Sequence, residues 1–340
     1  MAPYGKTEEQ FRNESSVVIL RTIVDIHVFP LLVETALLAV FTAQTIYFVY
    51  HRCSTLGQGP TSTDIHTPRR GPHVNLMLCL SIFMYLLALA YWVLDVVIMQ
   101  QEILVFWPEL ISATPSSDPY QTLTEMLGAS WYAQAVIQGF IWTAGDSIAL
   151  WRAYAVIGRP RWLAIIIGVL LLVELGVYTE YLVFYLHVLP NPPPFIEKSK
   201  SRVIVVAPYL AAASITVTVQ VFATSLIAYK AWMVWKNRQG LFSGPGRVFR
   251  TLAILIESGV VYTLLWVWYI LATNDAVFSW RMTAWTEYYS IPLMAMYPML
   301  VVMIVTMQDS ALTANDNLPY TQKLHSDAKG SETSEMFDSK

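Results

Sequence analysis

The run WLAIIIGVLLLVELGVYTEYLVFYL, residues 162–186, holds only two charged side chains, Glu174 and Glu180. A helix needs about 20 mainly apolar residues to cross the hydrocarbon core of a bilayer, and this run supplies them. With no water in that core, each backbone N–H and C=O must find a partner within the segment, so the run should be helical. Six further stretches repeat the pattern: Phe29–Tyr50, Val74–Met99, Trp131–Ile157, Val203–Trp235, Val248–Ala272 and Trp285–Met307. The sequence therefore predicts an all-α protein, a seven-transmembrane helix bundle over residues 28–308. A segment 1–27 precedes it, and a polar tail 309–340, expected to be disordered, follows. An odd number of crossings puts the two chain ends on opposite sides of the membrane.

Composition agrees. Apolar residues make up 55% of the 340 and charged residues 13%, about half the charge of a soluble domain. Seven spans and their loops leave no room for a second globular domain. The net charge of −3 argues neither for nor against nucleic acid; from the apolar spans the expected partner is the lipid bilayer, and no nucleic acid is expected. Cys79 lies inside the second stretch and Cys53 just past the first. They are not expected to pair. No secretory leader is expected, because Val17–Leu20 is too short for its apolar region.

Lysine and arginine set the expected orientation. With the N-terminus outside, the inner segments and tail hold 14 of the 21 basic residues and the outer segments 7. The prediction is N-terminus outside, C-terminus inside, with the plasma membrane as location. Asn13-Glu14-Ser15 is a glycosylation acceptor on the outer side in that orientation. Cys53, beside Arg52 at the inner interface, is a candidate for palmitoylation.

The loop Gln100–Ser130 is the longest and is placed to fold over the outer mouth. Pro190–Pro194 reads as a stiff extended spacer. Tryptophans and tyrosines near span ends, among them Trp131, Trp162, Trp285 and Tyr288, read as interfacial anchors. Pro208, Pro292 and Pro298 fall inside spans, where each removes a helical hydrogen bond and offers a hinge.

Ionisable residues within spans are costly, about 2.5–3.5 kcal/mol each at the bilayer centre, and usually functional. Glu34, Asp95, Glu180 and Glu287 fall in the outer parts of their helices and could rim an outward cavity for cations, amines or hydrogen-bonding ligands. Asp146, Arg152 and Glu257, with Tyr154, Ser258 and Tyr262 nearby, are expected to form an inner polar network between the third and sixth spans. Glu174 is a further embedded acid.

Three segments taken in order carry a resemblance: Gly145-Asp146-Ser147 with Leu150-Trp151-Arg152-Ala153-Tyr154, then Ile254–Tyr262, then Met296-Tyr297-Pro298-Met299-Leu300-Val301-Val302. Together they resemble a large group of seven-span, receptor-like membrane proteins of mushroom-forming basidiomycete fungi, and the likeness covers all seven spans. It implies an architecture and a source, and no ligand. Similarity to rhodopsin-type receptors is more distant. Arg152-Ala153-Tyr154 stands at the place of their Asp-Arg-Tyr with Trp151 in place of the acid. Pro298 stands near the proline of their Asn-Pro-x-x-Tyr, with Tyr297 and Val301 for its polar members. Fungal pheromone receptors also lack several of these marks.

The functional expectation is a seven-transmembrane, receptor-like signalling protein with an unknown small ligand and a heterotrimeric G protein as candidate partner. A transporter or channel, or a membrane-embedded enzyme such as a terpene cyclase, is the alternative. No cofactor is expected. A retinal photoreceptor needs a lysine in the last span for its Schiff base, and Trp285–Met307 has none. No metal is expected either: the six histidines show no ligand spacing.

Overall fold

The computed structural model describes residues 24–57, 73–106, 119–188, 203–238, 247–273 and 281–304, and these contain helices and no strand. Seven long helices follow one another: α1 Phe29–Gly57, α2 His73–Gln101, α3 Pro119–Ile157, α4 Arg161–Val188, α5 Val203–Arg238, α6 Arg247–Ala272 and α7 Arg281–Ile304. Short π-helical turns, Val24–Val28 and Glu102–Phe106, lead into α1 and out of α2. The helices alternate in direction. The starts of α1 and α7 meet where Trp285 donates to the Asp25 carbonyl at 2.9 Å. The end of α6 meets the start of α7 where Thr283 donates to the Ala272 carbonyl. We refer to this as the N-terminal end of the bundle.

The turn between α3 and α4 shows how sequence closes a helix. Gly158 has φ 99° and Arg159 φ 62°. Gly158 N–H donates to the Ala155 carbonyl and Arg159 N–H to the Tyr154 carbonyl. These paired bonds satisfy two orphan carbonyls, and the positive φ explains the glycine. Pro160 then blocks continuation, and its carbonyl receives the Leu163 and Ala164 N–H groups that open α4.

Among the described residues six helices are long and apolar enough to cross a membrane: α1, α2, α4, α5, α6 and α7. Their outward faces carry bare apolar side chains, such as Ile46 on α1, Ile165 and Leu172 on α4 and Leu264 on α6, each more than 60% exposed. Soluble proteins rarely show so broad an apolar surface. The chain is an integral membrane protein.

Helix α3 is the exception, and its position explains why. From Ile141 to Ala153 nearly every side chain is buried. It packs against α2, α4 and α5, and Gly145 faces Tyr262 of α6 and Pro298 of α7. A helix sheathed by protein needs no lipid-compatible surface, so its sequence tolerates Gln134, Gln138, Asp146 and Arg152. It also begins twelve residues before the expected Trp131, with Pro119 at its first position, where the missing N–H costs nothing. The second loop is shortened accordingly, from both sides. Asn13, Pro190–Pro194, Met307 and the tail from 309 lie outside the described residues.

Two core clusters fill the bundle. One gathers Phe41, Met84, Trp142, Trp266, Tyr269 and Met294, the other Leu150, Ala153, Val219, Ile227, Leu255 and Val301. Close approach needs small residues at three points. A Cβ would collide with the Tyr178 ring at Gly139, with the Thr224 hydroxyl at Gly259 and with the Tyr262 hydroxyl at Gly145. Tyr178 cannot swing away freely, because its hydroxyl donates to the Ala135 carbonyl at 2.6 Å.

Gly139→Ala should therefore lower stability by about 1–3 kcal/mol through overpacking. Gly168→Ala and Gly176→Ala, whose Cβ positions are open, should be neutral or slightly stabilising. Reversible unfolding of the detergent-solubilised chain reads both. Equal behaviour of the three variants would contradict the α3–α4 contact.

Candidate functional site

A cavity of about 280 Å³ opens at the N-terminal end of the bundle. Much of its wall is built from pairs four residues apart: Gln134 and Gln138 on α3, Tyr181 and Tyr185 on α4, Tyr269 of α6 and Thr273 just past its end, Thr283 and Glu287 on α7. This spacing puts both members of a pair on one helix face, one turn apart. Tyr91, Trp131, Ala135 and Tyr209 complete the lining. The floor is fixed by hydrogen bonds. Gln138 Nε2 donates to the Tyr269 hydroxyl at 2.8 Å, and the Tyr209 and Tyr269 hydroxyls bond to each other. Tyr181 contacts the rings of Tyr209 at 5.4 Å and Tyr185 at 5.8 Å.

Beneath the floor an aromatic column runs toward the other end. The Trp142 ring lies 5.9 Å from both Tyr209 and Tyr269 and 4.9 Å from Trp266, edge to face. Trp266 meets Tyr262 edge to face at 6.4 Å, and Tyr262 stacks on Tyr297 at 5.1 Å. Tyr262 also points its hydroxyl at the Met294 carbonyl, 3.5 Å away. That is the carbonyl Pro298 cannot bond, since proline lacks the N–H that would reach back four residues. Tyr297 donates to the Ser258 carbonyl. At the foot of the column Arg152 is buried beside the Tyr297 and Tyr262 phenols. Its Nε and Nη1 have no hydrogen-bond partner among the described residues.

Two carboxyl pairs flank this axis. Glu34 of α1 adjoins Asp95 of α2, and Gln134 Nε2 donates to Asp95 Oδ1 at 2.7 Å. Asp146 of α3 adjoins Glu174 of α4 and Thr216 of α5, and Gln220 donates to Asp146 Oδ1. In each pair the remaining oxygens, Glu34 Oε2 and Asp95 Oδ2, Asp146 Oδ2 and Glu174 Oε1 and Oε2, meet no protein donor among the described residues. Two bare carboxylates side by side in a dry interior would repel. A proton held between them turns one into donor and the other into acceptor. At the N-terminal end His27 lies 3.3 Å from Glu102 and 3.1 Å from the Tyr288 hydroxyl, and burial pushes its pKa below the ordinary value.

The expected site residues separate. Asp146 and Tyr262 lie close to one another, and Arg152 and Tyr262 do too. Glu257 does not join them: it sits on the exposed face of α6, five residues and about 140° round the helix from Tyr262. Glu174 and Gln220 take its place beside Asp146. Of the four outer acids, Glu287 lines the cavity, Glu34 and Asp95 pair with each other, and Glu180 faces outward from α4. Tyr154 points its hydroxyl at the Arg159 carbonyl, 3.4 Å away, beside the turn. Ser258 donates to Leu255. Pro208 lies inside α5, and Pro292 and Pro298 are buried in α7. Cys53 is an exposed thiol at the end of α1.

No protein-family model matches the chain, and no curated protein or solved structure does.

Asp146→Asn should keep most of the stability, because its amide still accepts from Gln220 and donates to Glu174. Asp146→Ala leaves both partners unsatisfied and should cost about 1–3 kcal/mol. Glu174→Gln should remove intensity from the infrared band of protonated carboxyl groups. An unchanged band would refute the shared proton.

Proposed function

We propose that the protein is a seven-transmembrane receptor of the plasma membrane, with its N-terminus outside. The carrying observation is the continuity from the cavity, through Trp142, Trp266, Tyr262 and Tyr297, to buried Arg152 near the opposite end. A ligand changes such a bundle only by binding one arrangement better than another. Rings in contact cannot shift singly, so a displaced Tyr209 or Tyr269 moves Trp142. Pro298, one residue from Tyr297, gives α7 a place to bend. In this reading α3 crosses the membrane as the seventh span, shielded by its neighbours. The excess of Lys and Arg on the C-terminal side supports the orientation. Arg152 and the basic ends of α5 and α6 face a heterotrimeric G protein. The resemblance to the basidiomycete receptor-like group accords with this.

The two carboxyl pairs favour a second reading, a proton-coupled transporter, since embedded acids often carry protons.

Vesicles containing the full chain, mixed with basidiomycete Gα subunits, separate the two. The receptor should raise nucleotide exchange on Gα about fivefold or more over empty vesicles, the lower end of ordinary coupling. Arg152→Gln should abolish the rise. Proton flux along an imposed pH gradient without any exchange would establish the transporter. An N-terminal epitope tag should stain intact cells, and a C-terminal one only permeabilised cells.

A further inference from the structure

The cavity wall is chemically one-sided. Among the described residues its rings come from five tyrosines and Trp131, its only carboxyl group is Glu287, and no Lys, Arg or His lines it. Aromatic faces and a carboxylate share a preference for positive charge, and cages of rings are built to hold ammonium groups. The amides lean the same way. Gln134 must turn its NH2 toward the Asp95 carboxyl, and Gln138 turns its own to the Tyr269 hydroxyl. Each side chain thereby keeps its carbonyl oxygen as acceptor for a further donor.

We propose that this cavity binds a small organic ammonium ion, its charged nitrogen held between Glu287 and the faces of Tyr181, Tyr185, Tyr209 and Tyr269. The size fits, since about 280 Å³ is at the low end of ligand pockets. A bare alkali cation does not suit it, because such ions need several oxygens converging at close range, whereas here most of the wall is ring. An anion meets no cationic partner among the described residues of the wall. A neutral polyol would leave the ring faces without their best complement.

The assignment deepens the receptor reading by naming the ligand class, but its test is independent of signalling. The full chain in nanodiscs is titrated by calorimetry with two matched pairs of probes: choline against 3,3-dimethylbutan-1-ol, and phenethylamine against 2-phenylethanol. In at least one pair the cation should bind about tenfold or more tightly than its neutral isostere. Glu287→Gln should weaken the cation about tenfold and leave the alcohol unchanged. Tyr185→Leu should weaken it as well, which keeps the test open should Glu287→Gln fail to fold. Glu180→Gln, on the outward face of α4, should change nothing. Isosteres that match the cations, variants that bind like the parent, or no binding by either amine would each overturn the assignment. Cation binding without Gα exchange supports the site and removes only the receptor reading. Exchange evoked by a neutral compound alone does the reverse.

Discussion

Lipid offers no hydrogen bonds, so the polar side chains that α3 carries into the bundle turn toward other helices. Gln134, Gln138, Asp146 and Arg152 recur at intervals of four to eight residues along one broad face, with Trp142 and the small residues Gly145 and Ala149 between them. Asp95 of α2 meets the first and Tyr269 of α6 the second. Glu174 and Gln220 meet Asp146, and the phenols of Tyr262 and Tyr297 flank Arg152. This stripe sets which helices surround α3 and which of their faces turn inward. The cavity, the aromatic column and the inner arginine are parts of one buried face.

The helices were legible in the sequence because a bilayer imposes both length and hydropathy. Phe29, Val203 and Ala272 mark helix limits expected from apolar runs alone, and the structure keeps them. The start of α3 was not legible, because a protein-sheathed helix escapes the hydropathy rule and its first turns are polar. Depth could be read for the embedded acids, but direction could not. Glu174 and Glu180 share one helix, yet Glu174 is 3% exposed beside Asp146 while Glu180 faces outward. Six residues turn the helix 600°, or 120° short of two full turns, which parts them. Which face is buried depends on neighbours that hydropathy does not name. The same reason hid most of the cavity's lining, of which only Glu287 stood among the acids expected there. Its signal was the recurrence of paired polar or aromatic residues four apart, Tyr181 with Tyr185 and Thr283 with Glu287, near the same end of several helices.

The aromatic column gives the bundle a mechanical character that apolar packing alone would not. Trp142 and Trp266 are among the largest fully buried side chains, and each holds its ring against others at angles near perpendicular. Edge-to-face pairs contribute about 0.5–1.5 kcal/mol each beyond burial, and they lose it when tilted. A column of such contacts favours discrete arrangements over gradual drift, which a two-state signalling element needs. The bond from Tyr262 toward the carbonyl freed by Pro298 ties the column to one of the two places in α7 where a proline breaks the helix ladder.

The carboxyl pairs invite a transport mechanism, but their placement weighs against one. A proton path needs polar groups or water in continuous succession between sites. Glu34 with Asp95 lies between α1 and α2, and Asp146 with Glu174 lies between α3 and α4. The layer separating them holds Ile141, Trp142 and Trp266, all buried at 2% exposure or less. Each pair is closed on itself by a glutamine, Gln134 in one and Gln220 in the other. A carboxyl that shares its proton and accepts from an amide has met the demand of burial locally. The pairs are thus adequately explained as the way four helices bring acids together without charge repulsion. That leaves the cavity, and not the acids, as the place where a ligand can act on the bundle.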